Sequence, residues 1–146
     1  MKLKNSVEQA ICLLIMIAHS DEKTPLKSYN ISKSLGVSDS YLKKIIRQLV
    51  VAGLITSEAG KKGGVSLKKS PDKITLLDIF EAIEGKPFAR ATGLVERVFL
   101  NELKEVKEQK QAMILEAFNQ AEKSYKEKLK KITLQMAMVD RNKKTY

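Results

Sequence analysis

Three cations lie on one side of a helix that the sequence predicts over residues 39–52. Apolar residues recur there at the helical spacing i, i+3, i+4 and i+7, at Leu42, Ile45, Ile46 and Leu49. At about 100° per residue, the opposite side carries Ser40, Lys43, Lys44 and Arg47, with Tyr41 and Gln48 beside them. Such a helix buries one face and can bring ammonium and guanidinium groups to anionic oxygens such as those of phosphates.

A basic hairpin is predicted directly after this helix. Short strands are expected at residues 54–57 and 65–67, and the loop between them contains Gly60, Gly63 and Gly64. Lys61 and Lys62 stand at the tip of that loop. Glycines allow the backbone to turn and to approach a ligand closely, and the lysines supply positive charge for a phosphate ladder.

Each feature also has a less specific interpretation. The glycine-rich run can be only a flexible turn, and the basic helix face can be only solvated surface. Their adjacency in this order favours a winged helix. Residues 23–69 hold ten Lys or Arg and two acids, so they carry +8 of the formal net charge of +10. This concentration predicts a polyanionic partner, and duplex DNA is preferred to a membrane because the cations lie on a folded motif.

Other signals define the elements that position these groups. Ser38 is a predicted N-cap of the cationic helix, and Gly53 is predicted to stop it. Ser28 is a predicted N-cap of a shorter helix before the turn at Gly36. Thr75 begins a capping-box helix that runs to Gly85. The predicted fold is mainly α with a small β-hairpin wing.

The predicted organisation has three parts. Residues 1–85 form the winged helix-turn-helix domain, residues 86–105 connect, and residues 106–146 form a long dimerisation helix with a short tail. Apolar residues in the last part follow steps of four and three, at Ile114, Phe118, Ala121, Tyr125, Leu129, Ile132, Met136 and Val139. This narrow stripe is typical of a coiled-coil seam and predicts a homodimer, although it could also fold back on its own domain.

Composition excludes several classes of function. The single cysteine, Cys12, and the single histidine, His19, allow no intrachain disulfide and no protein metal cage, so we predict no metal and no cofactor. Cys12 lies in the apolar run 11–17, which predicts a buried, inert thiol. No secretory signal and no apolar run of about 20 residues are found, so a soluble, cytoplasmic protein without membrane contact is expected. No nucleophile stands with a base, so we expect no enzyme.

Several segments of the first 85 residues resemble the Rrf-two family of bacterial transcription regulators. They are the runs ISKSLGVS at 31–38, SYL at 40–42, AGL at 52–54, GKKGG at 60–64 and ITLLDIFEAIEG at 74–85. The resemblance implies a homodimeric winged-helix repressor that binds double-stranded DNA at a palindromic operator. It implies DNA contacts from the helix residues Ser38, Ser40, Tyr41, Lys44 and Arg47 and from the wing residues Lys61, Lys62, Gly63 and Gly64.

The sequence also departs from the family pattern. Iron-sulfur members carry three cysteines after the helix that ends at Gly85, whereas residues 86–111 contain none. Thiolates hold such clusters, so the chain resembles a cluster-free branch. Ala59 and Val65 stand where the family often has an arginine and an aromatic residue. The expected function is sequence-specific DNA binding with an undefined small-molecule or protein effector; the alternative is a winged-helix adaptor that binds RNA or an acidic protein.

Overall fold

The computed structural model describes residues 4–20, 25–85 and 91–138, which divide into two compact units. The first unit runs to Gly85 and resumes at Leu129; the second ends at Lys128. The first 85 residues contain α1 (Asn5–His19), α2 (Ser28–Leu35), α3 (Asp39–Val51), β1 (Ile55–Glu58), β2 (Gly64–Leu67), a 3₁₀ turn (Pro71–Lys73) and α4 (Leu76–Glu84). They are followed by α5 (Leu94–Val98), α6 (Lys104–Lys130) and α7 (Leu134–Met138).

The core of the first unit is formed where the apolar faces of α1 and α3 meet the hairpin and α4. Leu13 and Leu14 of α1 are fully buried, as is Ile79 of α4. All four apolar residues predicted for α3 are buried: Leu42, Ile45, Ile46 and Leu49. Each such side chain stabilises the fold by about 1.5–3 kcal/mol relative to exposure. The predicted amphipathic character of α3 is therefore confirmed.

Side-chain caps define where two helices begin. The Ser38 hydroxyl accepts a hydrogen bond from the Tyr41 amide at 3.3 Å, which confirms the predicted N-cap of α3. The predicted capping box of α4 is also confirmed, because the Thr75 hydroxyl accepts from the Asp78 amide and the Asp78 carboxylate accepts from the Thr75 amide. The predicted role of Ser28 was wrong: α2 begins at Ser28, and the N-cap position belongs to Lys27.

The hairpin is antiparallel and pairs with a third short segment. Ile55 stands opposite Leu67, and Glu58 opposite Gly64. The Val65 amide donates to the Leu26 carbonyl at 3.1 Å, so the chain just before α2 forms an isolated bridge to β2. This contact extends the predicted hairpin on one side and places the start of α2 next to the wing.

The prediction that Cys12 is buried was wrong, because this cysteine is exposed. The helix α1 buries one side, with Val7, Ala10, Leu14 and Ile17 following the 3.6-residue repeat. Cys12 lies two residues from Leu14, which rotates it by about 200° to the other side of α1. An unbroken apolar run does not itself define how many sides of a helix are covered.

The prediction that one continuous helix carries the whole apolar stripe after residue 106 was also wrong. The helix α6 ends at Lys130, and the backbone then bridges Thr133 to Thr75. The Leu134 amide donates to the Ile74 carbonyl at 2.7 Å, and the Leu134 side chain is fully buried. Because this leucine enters the core of the first unit, the chain leaves the helical path. Val139 lies outside the described residues.

The second unit contains α5 and most of α6. The Lys110 ammonium pairs with the Glu102 carboxylate and lies 4.5 Å from the centre of the Phe99 ring. A cation that contacts both a carboxylate and an aromatic face holds the segment between the two helices. The predicted connection 86–105 contains the helix α5. Residues 86–90 of this connection lie outside the described part of the chain.

Replacing Leu134 with alanine should destabilise the first unit. A fully buried leucine truncated to alanine costs about 2–5 kcal/mol, because apolar contacts are lost and a cavity remains. Denaturant unfolding at fixed protein concentration measures the change. Met136→Ala, an exposed site of the same helix, is the matched control and should change the free energy of unfolding by less than about 1 kcal/mol. Equal effects at both sites would contradict the docking of α7.

Candidate nucleic-acid interface

The outward face of α3 carries the predicted polar and cationic residues. Ser38, Ser40, Lys43, Lys44 and Arg47 are all exposed. The Ser38 and Ser40 hydroxyls lie 3.2 Å apart at the beginning of the helix. Because the opposite face is buried in the core, α3 cannot turn about its axis. Its three cations therefore always lie on the solvent side.

Two flanking residues have a partly structural role. Tyr41 is partly buried and packs against the hydrophobic core, so only part of the ring is accessible. The Gln48 amide donates to the Ile83 carbonyl at 3.1 Å, which ties α3 to α4. Gln48, which the helical spacing placed beside the cations, therefore contacts α4.

The wing turn exposes its lysines and encloses one of its glycines. Lys61 and Lys62 are exposed, whereas Gly63 is buried. A Cβ atom at Gly63 would lie 2.2 Å from the Glu58 carbonyl oxygen, and one at Gly64 would lie 2.8 Å from the Leu26 carbonyl oxygen. Gly63 is required by close packing against the backbone of the wing itself, and Gly64 by close packing against the segment of Pro25 and Leu26. Of the four predicted wing residues, the two lysines are the ones whose side chains reach solvent.

A groove of about 560 Å³ lies between α3 and the wing. Lys43 and Arg47 line it from the helix, and Gly60 and Gly63 line it from the hairpin. Glu58 is the acidic residue among those that line it. The fold thus brings the two predicted halves of the site to the two sides of one groove.

Lys27 also lines this groove, although in the sequence it is only one of the ten basic residues between positions 23 and 69. Its ammonium donates to the carbonyl oxygens of Lys61 at 2.8 Å and Gly60 at 3.3 Å, and also to that of Gly63. Contacts between residues 33 to 36 positions apart leave no periodic signal in the sequence. No local pattern could have identified this role.

The predicted dimerisation stripe is only partly a feature of one helix. Ile114 and Phe118 are 47% and 52% exposed on α6, and Ala121 is exposed beyond them. Tyr125 and Leu129 are partly buried. Ile132 and Met136 are exposed but lie beyond the end of α6, so the stripe is not continuous.

Further apolar residues are exposed in the second unit, and the stripe did not include them. They are Leu94, Val98, Phe99, Leu100, Leu103, Val106 and Met113. Leu100 and Leu103 precede α6 and are 75% and 74% exposed. They lie before the helix on which the seam repeat was predicted, which explains why the seam pattern missed them. The second unit therefore carries more unburied apolar surface than the sequence predicted.

Within the described ranges, no group of three or more His, Cys, Asp or Glu side chains could hold a metal ion. The described helices also include none that is long and apolar enough to cross a bilayer.

A cationic helix beside a basic, glycine-containing hairpin defines a winged helix-turn-helix protein. The model of the family Rrf2, described as an iron-dependent transcriptional regulator, matches residues 3–140. The chain belongs to the Rrf2 family of transcriptional regulators, which confirms the resemblance found in the sequence.

Individual relatives agree with this assignment. YwgB of Bacillus subtilis (strain 168), named as an HTH-type transcriptional regulator, is 43% identical over 103 residues, which are 70% of this chain and 66% of that protein. YffB of Lactococcus lactis subsp. lactis (strain IL1403), named likewise, is 44% identical over 86 residues, or 59% of this chain and 55% of that protein. The chain thus spans less than two thirds of the length of these relatives.

The fold also matches solved structures. The structure of CymR, the global cysteine regulator of B. subtilis, has a TM-score of 0.62 and 24% sequence identity, with 96% of this chain and 99% of that chain covered. At this identity the likeness supports the winged-helix fold and the long C-terminal helix.

The iron named in the family description does not fit the residues present here. Iron-sulfur clusters are held by several thiolates, and the full sequence contains one cysteine. That residue, Cys12, is exposed on α1, and no carboxylate or imidazole cluster is assembled elsewhere in the described residues. The sequence therefore lacks the set of thiolates that an iron-sulfur cluster needs.

Adding a side chain at Gly63 should disturb the wing. Gly63→Ala places Cβ against the Glu58 and Ala59 carbonyl oxygens at 2.2 and 2.6 Å, and overpacking of this kind costs about 1–3 kcal/mol. Thermal and denaturant unfolding measure the loss. The exposed neighbour Lys62→Ala is the control and should change stability by less than about 0.5 kcal/mol. A Gly63→Ala protein as stable as wild type would show that the turn is not closely packed.

Proposed function

We propose that this protein is a sequence-specific DNA-binding transcriptional regulator that acts as a homodimeric repressor at a palindromic operator. The observation that carries the proposal is the groove between α3 and the wing. Lys43 and Arg47 line it from the helix, and the exposed Lys61 and Lys62 lie in the hairpin turn between two of its lining glycines. Double-stranded DNA offers a groove that admits a helix, flanked by phosphates that a second basic element can contact.

The helix α3 is the proposed reader of base edges. The major groove of B-DNA is about 12 Å wide and accepts an α-helix. Arg47 can bond a guanine edge with two parallel hydrogen bonds, and the Ser40 hydroxyl can donate or accept at a base or a phosphate. Lys43 and Lys44 are point charges that suit phosphate oxygens. Ser38 and Tyr41 complete the proposed surface at the start of the helix.

The wing is the proposed anchor on the DNA backbone. Lys61 and Lys62 point their charges into solvent next to the groove, and each lysine that neutralises a phosphate releases a counterion. Gly63 and Gly64 contribute by allowing the close-packed turn that presents these lysines. The wing should therefore add affinity for all sequences, whereas α3 should add discrimination.

A second copy of the chain is the proposed partner of the second unit. Its exposed apolar residues include Phe118, Leu100 and Leu103, and apolar surface of this kind favours a homodimer. A two-fold dimer doubles the number of base contacts, and two recognition helices would need a separation of about 34 Å, one turn of DNA. Palindromic operators follow from that symmetry.

The wing lysines can be tested by their effect on salt dependence. Lys61→Gln with Lys62→Gln should reduce affinity for a selected duplex and for a random 30-base-pair duplex alike. The slope of log K against log salt should become shallower by about 0.9 for each lost phosphate contact. Fluorescence anisotropy titrations between low and physiological salt measure both quantities. Competition by a structured RNA hairpin or an acidic peptide, stronger than by either duplex, would favour the adaptor alternative instead.

Arg47 should affect specificity. Arg47→Met is expected to cost about 1–3 kcal/mol on a duplex selected by wild type from a random library, because a bidentate base contact is lost. The loss on random duplex should be clearly smaller. Lys44→Met serves as the matched control and should weaken both duplexes equally. Equal losses for Arg47→Met on both duplexes would assign Arg47 to the phosphates.

Phe118 should affect assembly. Phe118→Lys puts two charges into a two-fold interface and removes two apolar contacts worth about 1.5–3 kcal/mol each. The dimer dissociation constant should rise at least about tenfold in sedimentation equilibrium, and affinity for the selected duplex should fall with it. Asn119→Lys adds the same charge at an exposed neighbour and should leave the dimer intact. A monomeric wild type, or an unaffected Phe118→Lys dimer, would remove this face from the interface.

A further inference from the structure

The ammonium of Lys27 lies among the carbonyl oxygens of the wing turn. It donates to Lys61 O at 2.8 Å and to Gly60 O at 3.3 Å, and it also bonds Gly63 O. A lysine ammonium has three hydrogens, so these three acceptors use its full donor capacity. The N–H donors of the Lys27 side chain are therefore directed to the protein backbone.

The backbone around Lys27 holds the same turn from a second direction. The neighbouring Leu26 carbonyl accepts from the Val65 amide at 3.1 Å. A Cβ atom at Gly64 would lie 2.8 Å from both the Leu26 carbonyl oxygen and the Pro25 Cβ atom, so the two segments are in close contact. The segment 25–27 thus contacts the wing in two ways, through a backbone hydrogen bond and through one charged side chain.

Lys27 is also the N-cap residue of the helix α2. Its carbonyl accepts from the Asn30 amide at 3.0 Å, within the first turn of that helix. One residue therefore joins the start of α2 to the turn that carries Lys61 and Lys62. Because hydrogen bonds to a charged donor are stronger than neutral ones, this link restricts where the wing lysines can stand.

We propose that Lys27 is a positioning residue for DNA binding: its ammonium latches the wing turn through three carbonyl oxygens and so holds Lys61 and Lys62 where they meet the DNA backbone. This inference rests on the proposed function of the wing. It assigns to Lys27 a role through other residues, although a basic residue that lines the groove would ordinarily be taken for a phosphate contact.

A double-mutant cycle separates latching from phosphate binding. Lys27→Met should weaken binding to the selected duplex about tenfold, with the salt slope unchanged, because no phosphate contact is removed. In the Lys61→Gln, Lys62→Gln background the same change should weaken binding less than about twofold, because the residues it positions are gone. Lys27→Arg keeps the donors and should restore most of the affinity. Lys73→Met, an exposed lysine, controls for the loss of one charge.

Limited trypsin digestion gives a readout that does not involve DNA. Trypsin cleaves after Lys61 and Lys62, and release of the turn in Lys27→Met should accelerate this cleavage on the order of tenfold. Lys27→Arg and Lys73→Met should digest like wild type at the wing. Thermal unfolding of each variant identifies any that is globally destabilised, and Lys27→Gln then replaces Lys27→Met.

The outcomes distinguish this inference from the proposed function. A salt slope shallower by about 0.9 with additive losses would make Lys27 a phosphate ligand and overturn the latch. Unchanged affinity and unchanged cleavage in Lys27→Met would overturn it as well, while the wing contact would stand. Wild-type affinity in the Lys61→Gln, Lys62→Gln protein would refute the wing contact itself, and the latch as a device for DNA binding would fall with it.

Discussion

Burial of the apolar face of α3 is the constraint on which the site depends. Leu42 and Leu49 are fully enclosed by the core, and exposing either would cost about 1.5–3 kcal/mol. Rotation of α3 about its axis would expose several of these side chains at once, so it is opposed by the sum of their burial free energies. Lys43, Lys44 and Arg47 consequently face solvent as a set. Sequence-specific recognition needs this fixed orientation, because side chains can compare bases only when their backbone is held.

The turn of the wing depends on a different interaction, which is close contact between segments of backbone. Its turn is rich in glycine, a composition that by itself is typical of a flexible loop. Here Gly63 and Gly64 lie where any side chain would collide with carbonyl oxygens, and Lys27 bonds the turn from the preceding segment. Glycine thus permits close packing in this wing. Apolar burial holds α3 and also the strands of the hairpin, through Ile55 and Val65, whereas polar backbone contacts hold the turn of the wing. The helix and the turn meet at one groove.

Much of the winged-helix unit could be predicted because its signals are local. The helical repeat at Leu42 and Leu49, the N-cap at Ser38 and the capping box at Thr75 each act within four residues or a few turns, so the sequence displays them directly. The order of helix and basic hairpin then indicated the class of site. The dimerisation stripe was harder to predict, because a seam repeat describes one helix and the exposed apolar residues extend before α6.

The sequence by itself determined the helices of the winged domain, the side of α3 that carries charge and the absence of a thiolate set for iron. Only the tertiary structure decided that Cys12 is exposed, that Gln48 contacts α4, that Leu134 returns to the core and that Lys27 bonds the wing. The last three features join residues tens of positions apart. Periodicity and capping report the burial and hydrogen bonding of a segment relative to itself, whereas such contacts depend on which segments the completed core brings together.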